Sequence, residues 1–140
     1  MLKIYNMRTV GIDSKELMIG DWLRHSNGQP MAVVRIEHTN FACGTPHCWD
    51  YNNSYEFIEL TEELLEKNGF MKVESLSYDE SRIGISLLYK ERSNGEHGYR
   101  VLIEDNRPGN ETGTVIKPVK YVHEIQHALK DLHIDIDFTL

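Results

Sequence analysis

Only two cysteines, Cys43 and Cys48, occur in 140 residues, so a disulfide framework is not expected. No apolar run approaches the ~20 residues that a membrane-crossing helix needs. Residues 1–17 have neither an apolar core nor a small-residue cleavage site, so no secretory signal is expected and the cytoplasm is the expected location. No basic block offsets a formal net charge of -7, which argues against a nucleic-acid partner. The acidic residues are spread along the chain, so mimicry of DNA has little support and a solvated surface accounts for them. There is no G-x-S-x-G elbow, no phosphate-cradling Gly-rich loop and no internal repeat.

What is present suits a globular protein. Hydrophobic residues make up 40% and charged residues 26%, and the length predicts one domain over residues 1–140. Residues 1–16 read as a lead-in, with Leu2 and Ile4 able to add an edge strand. Leu17 to Leu23 and Pro30 to Ile36 predict two strands, joined across Ser26-Asn27-Gly28-Gln29 as a hairpin. A small twisted sheet or partial barrel follows from that pair.

His38 to Asn53 reads as a loop, punctuated by Gly44, Pro46 and asparagines. It gathers four zinc-capable side chains, His38, Cys43, His47 and Cys48, but His47 and Cys48 are neighbours and no second C-x-x-C completes a ribbon. Tyr55 to Leu60 predicts a short strand. The helix after it, about 61–69, has both ends written out. Thr61 is placed to cap it, Glu62 and Glu63 suit its positive end, Gly69 fits a left-handed C′ position, and Phe70 follows at C″. Met71 to Tyr78, Arg82 to Tyr89 and Tyr99 to Ile103 predict further strands, the last two paired through a turn at Ser93-Asn94-Gly95. Asp105 to Gly113 is a polar loop.

Pro118 is expected to open the last helix, about 119–132. Tyr121, Val122, Ile125, Ala128, Leu129 and Leu132 form its apolar stripe. Ile134, Ile136 and Phe138 then alternate with Asp135 and Asp137 as a short closing strand. The predicted class is α+β, with mainly antiparallel strands packed against two helices.

Within that last helix, His123-Glu124-Ile125-Gln126-His127 fits H-E-x-x-H, the helical zinc motif of many metallopeptidases. Residues four apart lie about 40° apart around a helix, so both imidazoles could reach one ion, with Glu124 activating a zinc-bound water. His133 follows His127 by six residues, the spacing of the third metzincin ligand. The resemblance stops there. Metzincins turn the chain on a glycine where this sequence has Lys130, and no methionine follows Met71 to make their Met-turn. On an unbroken helix His133 sits about 120° around from His127. The cysteine-bearing segment of peptide deformylases is missing too. On the helical wheel His123 and His127 fall opposite the apolar stripe, so the expectation is two surface histidines flanking a glutamate.

Three blocks carry a family resemblance: Glu16 to Leu23 (ELMIGDWL), Leu60 to Phe70 (LTEELLEKNGF) and Lys120 to Leu132 (KYVHEIQHALKDL). Together they cover about a quarter of the chain. The segment order resembles small proteins of Bacteroides-type bacteria and their phages and prophages, which share a Y-V-H-x-[LI]-Q segment but no consistent third ligand. The resemblance implies a phage or mobile-element origin and a last helix kept for packing. It implies origin and fold more than activity; the function expected from the whole reading is non-enzymatic, binding a protein partner without a cofactor. The alternative is a zinc-dependent hydrolase using His123 and His127 as ligands and Glu124 as base.

Overall fold

The computed structural model describes residues 12–38, 40–45, 48–51, 55–74, 84–93, 97–105, 107–109 and 115–140, with residues 45 and 48–51 described by their backbone alone. The α+β class is what the structure shows. The chain divides into two compact units, Met1–Ile58 and Glu59–Leu140. Among the described residues no helix is long and apolar enough to cross a membrane.

The first unit is a five-stranded antiparallel sheet in the order β4-β3-β2-β1-β5. Its strands are β1 (Trp22–His25), β2 (Pro30–Ile36), β3 (Phe41–Thr45), β4 (Cys48–Tyr51) and β5 (Tyr55–Phe57). The predicted strand over Leu17 to Leu23 begins only at Trp22. Gly20 takes φ 95°, and the buried Asp21 turns back to accept the Met18 N–H at 2.8 Å, so the chain bends before it can pair.

The β1–β2 hairpin is present, with Leu23 opposite Met31. Its turn differs from the mirror-image turn that Asn-Gly favours. Gly28 takes φ 91° while Asn27 does not enter the left-handed region, and the Gly28 N–H donates to the His25 carbonyl at 2.8 Å. That is a type I turn closed by a glycine bulge. Leu17, Leu23, Val33, Phe41, Cys43 and Tyr55 form the core of this unit.

The expected loop over His38 to Asn53 is instead a hairpin. Cys43 pairs with Asp50 and Gly44 with Trp49, extending the sheet. Glycine and proline suggested an open loop, but Phe41, Ala42 and Cys43 are all buried, and that burial favours a strand.

The second unit holds α1 (Glu62–Lys67), β6 (Met71–Lys72), β7 (Ile85–Glu91), β8 (Tyr99–Asp105), β9 (Val115–Val119) and α2 (Val122–Asp131). The sheet order is β6-β7-β8-β9, with β6 parallel to β7 and the other pairs antiparallel. Tyr89, Val101 and Lys117 lie in one cross-strand row. Tyr89 donates its hydroxyl to Glu66 of α1 at 3.1 Å, and Lys117 pairs with Asp131 of α2 at 3.3 Å. Both helices therefore lie on that side of the sheet.

Helix α1 ends as its sequence dictates. Thr61 Oγ1 accepts the Leu64 N–H at 3.2 Å, Gly69 takes φ 88°, and the Phe70 N–H returns to the Leu65 carbonyl at 3.0 Å. Phe70 and Leu65 are both buried, completing the Schellman motif.

Two expectations near the chain's end are corrected. Pro118 does not open a helix; it lies in strand β9, and α2 starts at Val122. Pro118 stands opposite Arg100, and lacking an N–H it cannot exchange a full hydrogen-bonded pair there. Its nitrogen faces away from β8, where an edge strand tolerates proline. The expected closing strand does not form either: residues 134–140 carry no ladder, although Ile134 and Phe138 are buried. The readings made for residues 1–11, 75–83, 94–96 and 110–114 lie outside the described residues.

Candidate functional site

The H-E-x-x-H segment lies in the first half of α2. Tyr121 is the N-cap residue, with extended φ and ψ of -118° and 153°. Glu124, three residues on, bends back over this end. Its Oε1 accepts the backbone N–H groups of Lys120 and Tyr121, each at 2.9 Å. The Glu124 N–H itself donates to the Tyr121 carbonyl at 3.1 Å, so the tyrosine supplies its backbone to the cap. This is the carboxylate half of a capping box, and its negative charge sits at the positive end of the helix dipole.

The two histidines are not the exposed pair expected from the wheel. His123 is only 6% exposed, and His127 is partly buried. The wheel misses this because it counts only apolar side chains as core, whereas the His123 ring is held among other rings. It stacks on Tyr121 with centroids 5.9 Å apart, and His127 meets it edge to face at 5.5 Å. Lys120 Nζ lies 5.4 Å from the Tyr121 centroid, extending the row with a cation.

His133 does not join them in a ligand set. Helix α2 ends at Asp131, and His133 takes φ 55°, the one non-glycine residue in the left-handed region among those described. Its N–H donates to the Lys130 carbonyl and that of Ile134 to the Leu129 carbonyl, both at 2.9 Å. His133 is thus the C′ residue of a second Schellman motif, in the role glycine plays after α1. Among the described residues no three His, Cys, Asp or Glu side chains are grouped to hold one metal ion.

Two members of the zinc-capable set in the first unit, Cys43 and His38, are described, one buried and the other exposed. Cys43 is buried, and burial, with the nearby Asp21 charge adding to it, pushes its thiol up to about 12. A thiol so held is a poor source of the thiolate that zinc requires. His38 is exposed, its carbonyl accepting the Ser14 hydroxyl at 3.0 Å. His47 and the Cys48 side chain lie outside the described residues.

Sequence reading passed over Glu104. It is 1% exposed on β8, and among the described residues neither carboxyl oxygen has a hydrogen-bond partner. An acidic residue directly after the apolar V-L-I run of β8 was the available signal. No family model, no curated protein and no solved structure matches this chain.

Proposed function

We propose that the chain is a non-enzymatic accessory protein that binds a protein partner, of the phage or mobile-element type its sequence blocks resemble, and acts in the cytoplasm. One observation supports the non-catalytic half: the Glu124 carboxylate accepts two backbone N–H groups at the start of α2. A base that activates metal-bound water must present its carboxylate to that water. Glu124 Oε1 is committed instead to two backbone N–H groups at the helix start. For the binding half, the two outer strands of the second unit's sheet carry exposed apolar side chains, Met71 at 50% and Ile116 at 54%. Pro118 leaves little of β9 able to pair, so contact through side chains suits this edge better than strand addition.

The contact between the His123 and His127 rings favours a second reading, a zinc-dependent hydrolase with Glu124 as base. Glu124 substitutions separate the two. Under the capping reading Glu124→Gln keeps an acceptor and shifts stability by no more than about 0.5 kcal/mol, while Glu124→Ala costs about 1–2 kcal/mol. Zinc-dependent peptide hydrolysis by the wild type, abolished in a folded Glu124→Gln, would overturn the non-enzymatic reading. The binding half is tested by capture from host cells: a stoichiometric partner should be lost on Ile116→Asp with the fold intact. Finding no such partner contradicts it.

A further inference from the structure

Residues 134–140 cross from the end of α2 to the end of α1 without joining a helix or a strand. Ile134 and Phe138 are buried, while Asp135, Ile136 and Asp137 are exposed. The far end is held by two side chains: Lys67 Nζ donates to the Leu140 carbonyl, and Asn68 brackets Thr139. Asn68 Oδ1 accepts the Thr139 N–H at 2.8 Å, and Asn68 Nδ2 donates to the Thr139 carbonyl at 2.8 Å. One amide thus satisfies both backbone groups of one residue, as a neighbouring strand would, and its Oδ1 also accepts the Thr139 hydroxyl at 3.3 Å.

The amide is fixed independently of what it holds. Asn68 Nδ2 also donates to the Leu64 carbonyl at 2.8 Å, and the Asn68 N–H donates to Leu64 and Leu65. Gly69 then locks the helix end in its left-handed turn. These bonds all lie within α1 and its cap, so the clamp keeps its geometry if residues 134–140 leave.

We propose that this clamp is a peptide-recognition site, occupied in cis by the chain's own residues 134–140, and that an extended segment of a protein partner replaces them. The cis segment defines the ligand chemistry: an extended stretch with a large apolar or aromatic residue directly before the clamped residue, and acidic side chains upstream facing water. Such a segment binds through polar contacts to Asn68 and Lys67 and an apolar anchor beside them, and displacement exchanges like for like. The proposal rests on the protein-binding reading and adds to it a second contact, at the end of α1.

Native-state hydrogen exchange on the wild type tests it first. The Thr139 amide should exchange at least about a hundredfold faster than the Ile125 and Leu129 amides, because the segment opens without global unfolding. Exchange of Thr139 at the same rate as those core amides would make residues 134–140 an integral part of the unit and overturn the proposal. A second arm uses the synthetic peptide IDIDFTL and the full chain. Phe138→Asp, which releases the cis segment, should bind the peptide at least about tenfold tighter than wild type. Adding Asn68→Ala should remove that gain. A folded Phe138→Asp that binds no tighter than wild type, or an Asn68→Ala that changes nothing, contradicts the clamp. A partner still captured by Asn68→Ala would place its contact elsewhere and leave the binding reading standing.

Discussion

Cys43 shows how one residue's surroundings decide its chemistry. In sequence it stands among histidines and a second cysteine; in the fold it is part of a dry core beside Asp21. Its folded thiol is raised to about 12 from an ordinary value of 9.0. The sign follows from linkage. The unfolded chain loses this proton first, so raising pH favours unfolding; the stabilisation is complete below about 9 and is lost as pH rises towards about 12. Wild type should therefore lose more stability than Cys43→Ala over that window, measured by denaturant midpoints, and its thiol should resist alkylation at pH 8 until the chain unfolds. Equal losses would contradict a buried, protonated thiol. Glu104 is also buried, and among the described residues neither of its carboxyl oxygens has a hydrogen-bond partner. Glu104→Leu should raise stability by about 1–3 kcal/mol, since an unsatisfied buried polar group costs about that much. Destabilisation on that change would mean the carboxylate has a role in the fold.

At the scale of elements, legibility followed the locality of the signal. Helix α1 was readable end to end because Thr61, Gly69 and Phe70 act on backbone groups only a few residues away. Strand β2 matched its sequence bounds because β-branched residues and a following turn fix it locally. The misses were non-local. Pro118 suits a helix's first turn and an edge strand equally, and only pairing of β9 with β8 decides between them. Residues 134–140 alternate like a strand, yet the Asn68 side chain meets the backbone that a neighbouring strand would have met. Two glycines separate strain from clash. A Cβ at Gly69 would meet nothing within 4 Å, so Gly69→Ala should cost about 1 kcal/mol through its positive φ alone. At Gly98 it would lie 2.4 Å from the Val119 carbonyl oxygen, so Gly98→Ala adds displacement of β9 and should cost more than Gly69→Ala. Equal midpoints for the two variants would contradict the close approach of that hairpin to β9.

At the scale of the whole molecule, the chain forms two units, each with its own sheet, and the H-E-x-x-H segment belongs to the second. The motif was legible as a pattern, but a pattern does not say where a carboxylate points. Here Glu124 closes the start of α2, His123 is buried in a row of rings, and His133 turns the chain out of the helix. The central claim is that these residues build a helix rather than hold a metal. Zinc content and thermal midpoint, with and without chelator, test it on wild type and His123→Ala purified without a histidine tag. The account predicts sub-stoichiometric zinc and no chelator effect in either protein, with His123→Ala destabilised by about 1–3 kcal/mol through lost ring packing. A wild type that holds one zinc per chain, loses it in His123→Ala and melts lower with chelator would contradict it.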